Sequence, residues 1–173
     1  MRILAISGSL RAKSTNTALL RAAALVAPGD VEVTLYEGLG DLPMFNPDIE
    51  ATEPPAVMSL WSQISDSDAV IIASPEYAHG ITGVLKNALD WMVGCGAFVD
   101  KPVALLNASP RASHAQAALK ETLLMIMARP IEKASVEIDL IGTTPNASDL
   151  AADPEITALL ETALAELALQ VRT

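Results

Sequence analysis

Apolar runs and helical patterns alternate from one end of the chain to the other. Ile3-Leu4-Ala5-Ile6, closing on Ser7, has the length of a strand, and Thr15 to Val26 follows as a helix with Leu19, Leu20 and Ala23 on one face. Pro28-Gly29-Asp30 stops that helix. Val31-Glu32-Val33-Thr34-Leu35 alternates apolar and polar residues, as an edge or near-edge strand does. A stretch rich in turn formers, Glu37 to Pro55, leads to a helix that carries Val57, Leu60, Trp61 and Ile64 at helical spacing. Ala69-Val70-Ile71-Ile72-Ala73 is apolar at every position, which predicts a central strand covered on both faces.

The second half repeats the alternation. Val84, Leu85, Ala88, Leu89 and Met92 mark a helix beyond Gly83, and Pro102 precedes a strand over Val103 to Leu106. Ala118, Leu119 and Leu123 mark a helix ending before Pro130, and Val136 and Ile138 alternate in a fifth strand. Asp153-Pro154 is a helix start, a capping residue followed by Pro at the first helical position, and Ile156, Leu159, Leu160, Ala163, Leu164 and Leu167 form the stripe of the last helix. Five strands alternating with five helices predict an α/β fold: one doubly wound, five-stranded parallel sheet in the order 2-1-3-4-5, spanning residues 1–173 as one domain. In that order ligands sit at the carboxyl ends of strands 1, 3 and 4. The informative loops are then Ser7 to Asn16, Ser74 to Thr82 and Asn107 to Gln116.

Composition narrows the function. Half the residues are apolar but only 3% are aromatic, so alanine, leucine and valine build the core. The net charge of −10 repels nucleic acid. No apolar run reaches membrane-spanning length, and no signal peptide precedes the first strand, so a cytoplasmic location is expected. One cysteine, Cys95, excludes an internal disulfide framework and fits a reducing compartment. Two histidines and that one cysteine offer no metal-ligand spacing, so no metal site is expected.

The first loop reads Ser7-Gly8-Ser9-Leu10-Arg11-Ala12-Lys13-Ser14-Thr15-Asn16-Thr17, between a buried strand and a helix start. Hydroxyls, backbone N–H groups and a helix N-terminus can surround a phosphate there, with Arg11 as a fixed positive charge; the same residues also suit a plain capped turn. The loop has one Gly where a dinucleotide fingerprint needs three. It also misses a P-loop at Ala12 and by one residue of spacing. The second loop, Ser74-Pro75-Glu76-Tyr77-Ala78-His79-Gly80-Ile81-Thr82-Gly83, imposes an irregular backbone whose exposed groups suit the edge of a heterocycle. Tyr77 suits packing on a ring or beside the sheet. No carboxylate at a telling spacing orients His79, and it reads as a surface residue, as does His114.

At these loops the sequence resembles the NADPH-dependent FMN reductase family, flavodoxin-like proteins that reduce flavins, quinones, azo dyes or chromate. Gly8-Ser9-Leu10-Arg11 with Ser14 and Asn16 is similar to its phosphate loop. Ser74-Pro75-Glu76-Tyr77 and Gly83-Val84-Leu85-Lys86-Asn87-Ala88-Leu89-Asp90-Trp91 are similar to its second signature. The resemblance implies FMN as cofactor, with Ser9, Arg11, Ser14, Asn16 and Thr17 at its phosphate, Pro75, Glu76 and Tyr77 along the ring through backbone groups, and Ser109 flanking the ring. It further implies NADPH or NADH as reductant, a small-molecule acceptor, and a homodimer or homotetramer. Two positions depart from the pattern: Ala78 stands where Asn is common, and the third loop, Ser109 to His114, lacks glycine.

With no second nucleotide domain and no side-chain nucleophile, the chemistry falls to the flavin, and no catalytic side chain is assigned. The expected reaction is ping-pong hydride transfer. The alternative is a flavodoxin-type electron carrier, against which the few aromatics and Arg11 in the phosphate loop speak. Trp91 and Met92 read either as subunit-interface anchors or as core.

Overall fold

A computed structural model describes residues 1–171. Its strands are β1 (Arg2–Ser7), β2 (Glu32–Tyr36), β3 (Ala69–Ala73), β4 (Glu76–Tyr77), β5 (Gly80–Ile81), β6 (Pro102–Asn107), β7 (Arg129–Pro130) and β8 (Val136–Glu137). The helices are α1 (Thr15–Val26), α2 (Pro47–Glu50), α3 (Pro55–Asp66), α4 (Gly83–Trp91), α5 (Ser113–Met125), α6 (Ala147–Ala152) and α7 (Pro154–Val171). The main sheet runs β2-β1-β3-β6-β7, and β8 also pairs with β6. All these pairings are parallel, with Ile3 opposite Val33 and Ala69, and Ile71 opposite Ala104.

Strand parity sorts the core into two layers, because successive side chains point to opposite faces. Leu4, Ile6, Val70, Ile72, Val103 and Leu105 face α3, α4 and α5, and meet Leu60, Ile64, Leu85, Leu89, Leu119 and Leu123. Ile3, Ala5, Ala69, Ile71, Ala73, Ala104 and Leu106 face the other way, toward Leu19, Leu20 and Ala23 of α1 and Leu160, Leu164 and Leu167 of α7. Four alanines on that second face keep it shallow, so α1 and α7 lie close to the sheet. The aromatic residues Tyr36, Phe45, Trp61, Trp91 and Phe98 all gather in the first layer.

Trp91 and Met92 belong to that first layer rather than to an exposed interface. Trp91 is 3% exposed, donates its indole N–H to the Pro43 carbonyl at 2.8 Å, and meets the Phe45 ring edge-on at 5.1 Å. The long turn-rich segment is thereby tied to α4, with Asn87 also donating to Pro43 and accepting the Phe45 N–H.

The fifth strand differs from expectation in being broken. Pro130 has no N–H for the ladder, and the chain turns through a 3-10 segment at Glu132–Ala134 before β8 resumes pairing at Val136 opposite Leu106. Ser135 covers the gap: its Oγ accepts the Leu105 N–H at 3.0 Å and donates to the Ile131 carbonyl at 3.0 Å. A short helix, α6, precedes the last one and is started by a capping box between Asn146 and Asp149. Asp153 then caps α7 by accepting the Glu155 and Ile156 N–H groups. Among the described residues no helix is long and apolar enough to cross a membrane.

Candidate cofactor site

The loops after β1, β3 and β6 converge at the carboxyl end of the sheet, and Gly8 is what lets the first two touch. A Cβ at residue 8 would lie 2.2 Å from Ser74 Oγ and 2.6 Å from Ser74 Cβ, so only glycine fits. In this close approach the Gly8 N–H donates to the Ala73 carbonyl at 2.8 Å, and the Thr82 hydroxyl donates to the Gly8 carbonyl at 2.7 Å.

Helix α1 begins under this loop. Ser14 is its N-cap, with Oγ accepting the Thr17 N–H, and the Thr17 hydroxyl pairs with Ser7 Oγ at 2.7 Å. No acidic residue occupies the first turn, so the positive end of the helix dipole is left uncompensated. Asn16 is only 8% exposed, yet its Oδ1 has no hydrogen-bond partner. A buried, unsatisfied polar atom is costly, and here it stands beside an open cavity, which marks a place for a donor from outside the chain.

That cavity has a volume of about 350 Å³ and is walled by Thr15 and Asn16, by Ser74, Pro75 and Glu76, and by Asn107, Ser109, Arg111 and Ala112. Leu140 to Thr143, after β8, form a fourth wall that the sequence reasoning did not anticipate. The signal for it was position alone: a loop at the carboxyl end of the fifth strand, with Gly142 at φ +75°. Of the predicted residues, Asn16, Pro75, Glu76 and Ser109 share this cavity. Ser9, Arg11 and Thr17 line a separate hollow of about 300 Å³, with Arg21, Tyr36 and Glu37. Ser14 lines neither and is spent on the helix cap. Tyr77 is 56% exposed and also stands outside both.

Tyr77 sits on a hairpin of β4 and β5, in which Glu76 pairs with Ile81 and Tyr77 with Gly80. The two-residue turn puts both Ala78 and His79 at positive φ, +51° and +58°, as a type I′ turn requires. Alanine bears that conformation at a cost, and Asn or Gly would bear it more easily. Ala78→Gly is therefore expected to raise stability by about 0.5–1 kcal/mol, read as a higher melting temperature. A lower melting temperature would show that the turn is not held in this form.

The Glu76 carboxylate is occupied at both oxygens. Oε2 accepts the Ala115 N–H of α5 at 2.8 Å, and Oε1 lies 3.1 Å from His79 Nδ1. The bond from Ala115 does most to hold the carboxyl below the usual carboxylate range; burial opposes it as the next-largest effect, and His79 and His114 add smaller lowering contributions. The His79 ring meets the His114 ring edge-on with centroids 4.4 Å apart. His79 thus has the carboxylate neighbour that linear spacing did not suggest, because a tight hairpin brings residues 76 and 79 together.

Comparison with known proteins agrees with this architecture. The profile of the family described as NADPH-dependent FMN reductase matches residues 1–141. An NAD(P)H-dependent FMN reductase of Pseudomonas aeruginosa is 35% identical over 178 residues, covering 99% of this chain and 96% of the relative. A quinone reductase of Pseudomonas putida is 39% identical over 114 residues, 64% of this chain and 61% of its own length. The solved structure of a flavoenzyme NAD(P)H:(acceptor) oxidoreductase from Paracoccus denitrificans superposes with a TM-score of 0.78 at 30% identity, over 99% of this chain and 97% of that one. A family profile spanning most of the chain, a relative matched along its whole length and a shared flavodoxin-like sheet lead to one assignment: the chain belongs to the NADPH-dependent FMN reductase family.

Proposed function

We propose that the chain is an FMN-dependent NAD(P)H oxidoreductase that reduces a flavin, a quinone or a similar small acceptor. The observation that carries this reading is the buried, unpartnered Oδ1 of Asn16 at the edge of a cavity walled by three strand-end loops. The donor set suits FMN. An amide oxygen wants a hydroxyl or N–H donor, and the ribityl chain of FMN is a row of hydroxyls. Ser9, Arg11 and Thr17, with the uncompensated start of α1, suit its phosphate. Pro75 and Glu76 on one wall and Ser109 on the other suit the ring. Tyr77, standing on the exposed hairpin, would meet the ring only from its rim. When bound, FMN supplies the redox chemistry, taking a hydride from NAD(P)H and passing reducing equivalents to the acceptor.

The chain's own residues bind and orient, and none is needed as a nucleophile. The nucleotide and the acceptor use one opening in turn, which makes the kinetics ping-pong. Initial rates measured at several acceptor concentrations should give parallel double-reciprocal lines. Intersecting lines would contradict a shared opening.

The protein acts in the cytoplasm, a reading supported by its single cysteine. It assembles as a homodimer or homotetramer. Support comes from Leu124, Met125 and Met127 at the end of α5, exposed by 49%, 74% and 60%, with the exposed Val99 alongside where the Asp100 N–H donates to the Met127 carbonyl. Exposed Met and Leu side chains clustered in this way suit a protein contact.

A further inference from the structure

We propose that Glu76 is a positioning residue, whose carboxylate ties the hairpin after β3 to the start of α5 and so fixes the two walls of the ring site relative to each other. This rests on the reading of the cavity as a flavin site.

Helix α5 cannot cap itself. Its N-cap position is Ala112, which has no side-chain acceptor, and no acidic residue lies in its first turn. The missing acceptor comes from Glu76, 39 residues earlier, through the 2.8 Å bond from the Ala115 N–H. The same carboxylate holds His79, and His79 packs on His114 of α5. Two contacts therefore join the hairpin to the helix end, Glu76 to Ala115 and His79 to His114, and the Glu76–His79 contact links them within the hairpin. They also brace the turn that holds Ala78 and His79 at positive φ.

The placement gives these contacts a role in the site. Pro75 and Glu76 wall the cavity on the hairpin side, and Ser109, Arg111 and Ala112, which lead into α5, wall it opposite. Because both oxygens are engaged within the chain, the Glu76 side chain orders the walls and leaves the ring to backbone groups. The sign of the pH effect follows. A carboxyl held below its unfolded value stabilises the fold above the unfolded pKa, and that contribution is lost as pH falls through the folded value. The titratable groups facing it are His79 from the hairpin and His114 from α5. Acid should therefore release the hairpin and the helix start together.

The test is hydrogen exchange on the ligand-free protein, paired with riboflavin binding, which avoids the titration of the FMN phosphate. Glu76→Ala should speed exchange roughly tenfold both in residues 76–81 and in the first turn of α5, and weaken riboflavin binding by a similar factor. Glu76→Gln keeps an acceptor for the Ala115 N–H without the charge. It should retain near-parental protection at neutral pH and lose the parent's acid response. Faster exchange confined to the α5 turn would overturn the proposal, as would an unchanged riboflavin affinity in Glu76→Ala. If the parent binds no flavin while exchange in the two segments still rises together, the link between the walls stands and the flavin reading fails.

Discussion

Arg11→Ala is expected to weaken FMN binding by roughly one to two orders of magnitude while leaving riboflavin binding unchanged. Arg11 lines the hollow shared with Ser9 and Thr17, and among the described residues no ion pair engages it. A charge-assisted contact to a phosphate is worth about 1.5–3 kcal/mol, which converts to that loss of affinity. Riboflavin lacks the phosphate, so it serves as the internal control. Titration of the ligand-free variant with each flavin separates the outcomes. Equal losses for both would mean that Arg11 shapes the loop, and no loss for either would remove it from the site.

Trp91→Ala should have the largest effect on stability. Truncating a fully packed tryptophan costs about 3–5 kcal/mol, and here the Pro43 carbonyl also loses its indole donor. A fall in melting temperature on the order of 10 °C is expected for a chain of this size. The mass seen by light scattering should stay that of the parent, because Trp91 lies inside its own subunit. Dissociation into well-folded subunits would return Trp91 to an interface.

The framework of the fold was legible because its strands are short, apolar and parity-consistent. Ala69 to Ala73 could only be a central strand, and the Asp153-Pro154 pair marked the start of α7 that the structure shows. The break in the fifth strand was hidden because the hydroxyl that spans it, Ser135, looks like any polar residue in a loop. The site was legible where chemistry sits in consecutive residues, as in the first loop, and illegible where it depends on folding. The Glu76–His79 pair needs the hairpin, the cap on Ala115 needs the approach of α5, and the Leu140–Thr143 wall needs the closed end of the sheet. Gly8 shows both sides: its presence marked a turn, but its necessity comes from Ser74, 66 positions away and within 2.2 Å of where a Cβ would be.

The central claim is that a flavin bound to this chain reacts directly with NAD(P)H. Anaerobic rapid mixing of the FMN-loaded protein with NADPH, and separately with NADH, tests it most directly by following the visible flavin absorbance. The account predicts complete bleaching with at least one nucleotide within a single turnover, followed by return of the colour when a quinone is added. Flavin that stays oxidised over minutes with both nucleotides, yet is readily reduced by a chemical reductant, would contradict the account and leave an electron carrier in its place.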